Sequence, residues 1–206
     1  CMGTCDKIVP GLLIGALKFG HLTVIFLPGG PMSTGISNAK KAQARQAYAA
    51  GEIQKIDLLN VEQQAYHSTG TCTFYGTANT NQLIAEAMGF QLPGTAFTPT
   101  ESPVREYLNK ESLEALMRLM DSEIGLGEML DIKNWMNALI VLLASGGSTN
   151  LVIHLIAMAR SAGYILTIED FNDLSSIIPL LCQVYPNGTA DVNEFHSEGG
   201  IARLLS

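Results

Sequence analysis

The run Leu22-Thr23-Val24-Ile25-Phe26-Leu27, closed by Pro28-Gly29-Gly30-Pro31, constrains this chain more than any other stretch. It is too short for a helix, rich in β-branched and aromatic side chains, and lacks the polar alternation of a strand with one wet face. It predicts a fully buried strand of a parallel sheet that ends in a tight loop. Such a strand needs helices over it, and much of the remaining sequence carries helical patterns. These cover Pro10 to Phe19, Ala39 to Ala50 behind an Asn38 cap, Asp57 to Tyr66, and Gln82 to Met88 behind Asn79 or Thr80. Further on they cover Val104 to Glu123, Leu130 to Leu143, Leu151 to Ala162, and Ile168 to Leu174 behind Thr167. The expectation is an α/β fold: a three-layer α/β/α unit with a small parallel or mixed sheet, many helices and a helical second half.

The 206 residues fit one large domain. Only 15% are charged, 47% are hydrophobic and 20 are glycine, which excludes a disordered or coiled-coil chain. A net charge of −7 without a Lys/Arg cluster excludes a nucleic-acid backbone binder. The longest nearly apolar run, Met136 to Ala144, falls far short of the roughly 20 residues that span a bilayer, and no signal peptide opens the chain. A soluble, cytoplasmic protein with no nucleic-acid or membrane partner is expected. The chain begins at Cys1 without Met and stops at Ser206 inside an amphipathic pattern, so a fragment is expected.

The four cysteines, at positions 1, 5, 72 and 182, form no CxxC pair and are too sparse for a disulfide scaffold. Cys182 follows an apolar stretch and reads as a small core residue. Cys5 and Cys72 sit among small polar residues and glycine, where a thiolate can serve as a ligand. Cys5-Asp6-Lys7 places a thiol, a carboxylate and an amine just before a helix; either a ligand site or an ordinary polar turn answers to that pattern. The loop from His67 to Asn79 is rich in hydroxyls and glycine, and Phe74 and Tyr75 in its middle predict that it packs inward, so its backbone groups need partners. Gly146-Gly147-Ser148-Thr149-Asn150 precedes a helix, so Ser148 and Thr149 could bind substrate at the positive helix end or merely cap it. His21 and His154 flank apolar faces and read as satisfied core histidines.

Together these stretches resemble the dehydratase family that contains 6-phosphogluconate dehydratase and dihydroxy-acid dehydratase. The matching pieces are Cys5 to Gly11, Phe19 to Leu22, Gly30-Pro31-Met32, Tyr66-His67-Ser68, Gly70 to Asn79, Leu92-Pro93-Gly94 and Gly146 to Asn150. The run from Thr71 to Asn79, with Tyr185-Pro186-Asn187-Gly188 and Ala190-Asp191, is similar to the 6-phosphogluconate branch.

The resemblance implies a hydro-lyase of the Entner-Doudoroff route, converting 6-phospho-D-gluconate to 2-dehydro-3-deoxy-6-phospho-D-gluconate. It assigns Cys5 and Cys72 to an iron-sulfur cluster of the 4Fe-4S type, which acts as a Lewis acid for the departing 3-hydroxyl. Asp6 and a carbamylated Lys7 match the magnesium (Mg2+) site of the dihydroxy-acid branch. The family's third ligand, in a Cys-Asp-Gly motif, has no counterpart among these residues, and Cys1 is not in that motif. The family's catalytic base, a Ser on a C-terminal domain, has none either. The implied organisation is therefore a partial N-terminal cluster-binding domain over 1–206, inactive alone and homodimeric in the full protein, with a phosphorylated sugar acid as substrate. Such a substrate needs a basic pocket, for which Lys40, Lys41, Arg45 and Arg105 are the candidates. The low charge fits a surface covered by that second domain and a partner subunit. Other readings left open are a sister dehydratase of the same family and a non-catalytic module with zinc on Cys1, Cys5 and Cys72.

Overall fold

The computed structural model describes all 206 residues. In chain order the elements are β1 (Met2–Gly3), α1 (Ile8–Leu17), β2 (Leu27–Pro28), α2 (Asn38–Ala49), α3 (Lys55–Ala65), α4 (Thr77–Ala87) and α5 (Pro103–Asp121). They continue with α6 (Leu126–Met129), α7 (Ile132–Ser145), α8 (Asn150–Ser161), α9 (Ile168–Ser175), α10 (Val192–Ser197) and α11 (Gly200–Leu204). The result is the expected helix-rich α/β unit with a small parallel sheet and a helical second half. No helix is long and apolar enough to cross a membrane.

The buried strand expected over Leu22 to Leu27 is shorter than its pattern suggests. Only Leu27 and Pro28 pair, parallel to Met2 and Gly3. The reason lies in the neighbours. The residues before Leu27 are held by loops instead of a strand: Leu126 N–H donates to Leu22 O (2.9 Å), the Thr23 hydroxyl to Ile124 O (2.8 Å), and Phe26 N–H to Phe90 O (2.9 Å). Burial still acts where it was expected to, because Phe26 is fully buried and stacks on Phe90 at 5.5 Å.

α4 is the centre of the molecule. α1, α7 and α8 pack around it, and its last nine residues, Asn79 to Ala87, are all buried. Leu83, Ile84 and Met88 meet Trp135, Leu139 and Val141 of α7 and Leu151 and Leu155 of α8 in one apolar core. α7 ends at Gly146, whose left-handed conformation (φ 62°) suits glycine.

Two caps differ from expectation. Ser37, not Asn38, caps α2 by accepting from Lys40 N–H. α4 starts at Thr77, so Asn79 and Thr80 lie inside the helix, where their side chains serve other loops. Thr167 caps α9 as expected. Cys182 is half-buried against the core, and burial pushes its thiol pKa up.

Candidate functional site: two cysteine loops hung from one helix

Four consecutive buried residues of α4, Asn79, Thr80, Asn81 and Gln82, organise the loops around it. Successive helical positions point about 100° apart, so four of them face every side of the helix. Asn79 Nδ2 donates to Cys72 O and Phe74 O (both 2.7 Å), while its Oδ1 accepts from the Thr71 hydroxyl (2.7 Å) and from Gln82 Nε2 (3.2 Å). Thr80 Oγ1 donates to Gly76 O (2.9 Å) and accepts from Ser148 N–H (3.1 Å). Asn81 Nδ2 donates to Asp6 O (2.8 Å), and Gln82 Oε1 accepts from Gly30 N–H (2.9 Å). Loop backbone buried beside a helix must find partners, and these amides and hydroxyls supply them. Sequence reasoning missed this role. The available signal was the run Asn-Thr-Asn-Gln, polar yet uncharged, leading directly into an apolar helix.

Cys5 is exposed on the turn into α1. Its thiol donates to Asp6 Oδ1 (3.0 Å), and Lys7 Nζ reaches Asp6 Oδ2 (3.0 Å). The Cys5 contact first, and the Lys7 contact second, hold the Asp6 carboxyl below the usual carboxylate range. His154 of α8 stands near this turn: the Asp6 charge favours its protonation and the Lys7 charge opposes it, while burial, the larger effect, lowers its pKa. Its Nδ1 is buried without a partner, so His154 is not the satisfied core histidine its sequence context suggests. His21 is exposed.

Cys72 is half-buried. The Thr71 N–H donates to Gly30 O and the Met32 N–H to Thr71 O (both 2.9 Å), joining its loop to the Gly30-Pro31-Met32 turn. Gly70 makes that junction close. Its φ is +121°, and a Cβ there would lie 2.5 Å from Met32 N. Tyr75 is buried as expected and donates its hydroxyl to Ser145 Oγ (2.7 Å). Phe74 departs from expectation: it is 39% exposed and meets Tyr185 edge-on at 5.4 Å, because the loop turns only one of its two aromatic residues inward. Cys72 also lines a cavity of about 100 Å³ with Asn38, Lys41, Arg45, Tyr66 and Tyr185.

Ser148 is tied to α4 twice, through its N–H to Thr80 and its hydroxyl to Thr77 Oγ1 (2.8 Å). Thr149 is exposed at the start of α8, and its side chain makes no capping bond.

Among the basic candidates, Arg105 is unsuited to a phosphate. It is 4% exposed, and its guanidinium donates to Pro28 O (3.2 Å), Thr95 O (2.7 Å) and Thr98 O. Burial lowers its pKa to about 10, opposed by the nearby Glu86 carboxylate. Its charge alone suggests a phosphate site, and its donors are spent on backbone. Lys40 is exposed outside the Cys72 cavity.

All four cysteines are free. No three His, Cys, Asp or Glu side chains gather closely enough to hold a metal ion, so the structure does not assemble Cys1, Cys5 and Cys72 into a zinc site. The donor set fits an iron-sulfur cluster in part: it offers two soft thiol donors on α4-anchored loops and no third. Asp6 offers hard oxygen donors suited to magnesium, whereas Lys7 as an ammonium pairs with Asp6 and has no lone pair to offer.

The sequence of this helix-rich α/β unit, which suspends two free-thiol loops and a glycine turn from α4, matches a known class along its whole length. Residues 1–206 match the family described as dihydroxy-acid/6-phosphogluconate dehydratase N-terminal, and the chain belongs to that family. It is 50% identical to a phosphogluconate dehydratase of Rhizobium meliloti, over 100% of this chain and 34% of that relative. Identity is 47% with the phosphogluconate dehydratase of Escherichia coli K12 (99% of this chain, 34% of the relative) and 34% with a dihydroxy-acid dehydratase of Hydrogenobaculum (100% and 38%). The chain thus spans about a third of the length of the curated relatives it matches.

Proposed function

We propose that the protein of which these residues form part is a hydro-lyase that dehydrates 6-phosphogluconate to its 2-dehydro-3-deoxy acid in carbohydrate breakdown. The observation that carries this reading is the match of residues 1–206 to the dehydratase family, with the Cys72 and Cys5 loops both bonded to α4 through Asn79 and Asn81. That helix gives two separated thiols one rigid support. The relatives named phosphogluconate dehydratase, more similar than the dihydroxy-acid relative, favour the phosphorylated substrate.

In this reading Cys5 and Cys72 ligate a 4Fe-4S cluster, with a third ligand from elsewhere in the protein. The cluster supplies a Lewis acid for the departing 3-hydroxyl. Loss of the C2 proton and the C3 hydroxide, water in sum, would give an enol that tautomerises to the 2-keto acid. A base on another domain takes the C2 proton. Asp6 supplies a carboxylate for a magnesium ion, joined by Lys7 once carbamylated, and Ser148 and Thr149 lie at the substrate end of α8. The working form is a cytoplasmic homodimer.

The test is anaerobic reconstitution of the full-length protein with iron and sulfide, read by optical and EPR spectra and by 2-keto acid formation. Cys5→Ser and Cys72→Ser should each lose the cluster signal and turnover. A colourless full-length protein, or turnover by residues 1–206 alone, would overturn the reading.

A further inference from the structure

α2 carries Asn38, Lys41 and Arg45 on successive turns of one face, and that face forms a wall of the Cys72 cavity. Ala42, Tyr66, Cys72, Phe74 and Tyr185 complete the lining. α2 buries none of its residues, so its cations are not there to hold the core. Nor do they suit the helix. Lys40 and Lys41 lie near its N-terminal end, where the backbone dipole disfavours positive charge, and the first turn has no acidic residue. The only ion pair on the helix is Arg45 with Glu62 at 3.7 Å, half-exposed on both sides and therefore weak, and Lys41 has none. Two cationic residues near a positive helix end thus line a cavity of about 100 Å³, room for a few water molecules or one phosphate group.

We propose that this cavity is an anion subsite that holds the phosphate end of the sugar acid, with Lys41 and Arg45 as its charged donors. This rests on the substrate reading above and deepens it. A phosphate dianion needs more than one positive partner, and the Lys41–Arg45 pair supplies two. Cys72 lines the same cavity, so a phosphate held here lies beside the thiol assigned to the cluster.

The experiment uses the full-length reconstituted enzyme with Lys41→Gln, Arg45→Gln and the double variant, and with Lys40→Gln as the control outside the cavity. Losing one charge-assisted donor should raise KM for 6-phosphogluconate roughly ten- to hundredfold. The cluster EPR signal and the melting temperature should stay as in wild type, and kcat should change far less than KM. Inorganic phosphate should inhibit wild type competitively and lose that effect in the double variant, while Lys40→Gln matches wild type throughout. Unchanged KM in both single variants overturns the subsite. If the wild-type enzyme does not turn over 6-phosphogluconate, the substrate reading fails by itself, and phosphate binding followed by calorimetry decides the subsite. Binding that the double variant abolishes supports it. No binding by wild type, or equal binding by the double variant, refutes it.

Discussion

Asn79→Ala tests the organising role of α4 most directly. The substitution removes four hydrogen bonds: those to Cys72 O, Phe74 O, the Thr71 hydroxyl and Gln82 Nε2. At about 1 kcal/mol net for each bond the loss is roughly 4 kcal/mol, with more wherever a partner stays buried and dry. Two features soften that figure. The Thr71 hydroxyl also points at Gly30 O (3.4 Å), and Cys72 borders a cavity that water can enter. The expected loss is about 3–4 kcal/mol, which at an m-value of about 2 kcal/mol/M lowers the urea midpoint by roughly 1.5–2 M. Equilibrium urea unfolding of the purified protein, followed by circular dichroism, measures it. Asn79→Asp sharpens the test because it keeps the acceptor toward Thr71 and Gln82 but turns an acceptor toward two carbonyls. At neutral pH it should cost more than alanine, and part of the difference should return in acid as the new carboxyl is protonated. A loss below about 1 kcal/mol for alanine, or an aspartate variant as stable as wild type at neutral pH, would refute the argument.

Other consequences follow from the same packing. Arg105→Met strands three backbone carbonyls and should lower stability by about 3 kcal/mol or more by urea unfolding; a change under 1 kcal/mol would show that water replaces the guanidinium. Burial raises the pKa of Glu86 above its ordinary 4.5, against the opposing Gly94 and Ala96 N–H groups. A raised folded pKa means that this group's contribution is fully present below 4.5 and is lost as pH rises through the folded value, so Glu86→Gln should flatten the pH dependence of stability in that window. An unchanged slope would count against it. Gly70→Ala forces a side chain into φ +121° and against Met32 N, and should cost about 3 kcal/mol by thermal unfolding, with wild-type stability as the refuting result. Residues 1–206 expressed alone should self-associate through exposed Tyr107, Leu113, Met117 and Met120 of α5; a monodisperse monomer by light scattering would contradict that.

What was legible in the sequence was what local chemistry decides. The periodicity of α7 and α8, the Thr167 cap of α9 and the apolar stretch around Phe26 follow from side-chain spacing, and the structure realises them. The length of the strand before Pro28 was not legible, because a strand exists only where another chain segment lies alongside, and here just Met2 and Gly3 do. Nor could local chemistry reveal where Asn79 and Thr80 spend their hydrogen bonds. Both residue types favour helix starts, and only the tertiary approach of the Cys72, Gly76 and Ser148 loops makes interior positions better. Arg105 shows the same limit in reverse: its charge suggested an anion site, while Pro28 O and the loop at Thr95 to Thr98 claim its donors.

These cases account for the low charge in a physical way. The chain buries a set of uncharged polar residues, among them Asn79, Thr80, Asn81, Gln82, Gln91, Thr95 and Thr98, several of which hold irregular loops beside an apolar core. Uncharged amides and hydroxyls suit that task because they satisfy carbonyls and N–H groups without the desolvation cost of burying an ion. Where an ion is buried it is bound by backbone: Arg105 by three carbonyls, Glu86 by the Gly94 and Ala96 N–H groups. The loops that carry Cys5, Gly30, Cys72 and Ser148 are therefore arranged by α4 itself through bonds that involve no thiol and no metal. Loops built this way are pre-ordered by the core, so the chain's own folding fixes the backbone that presents Cys5 and Cys72.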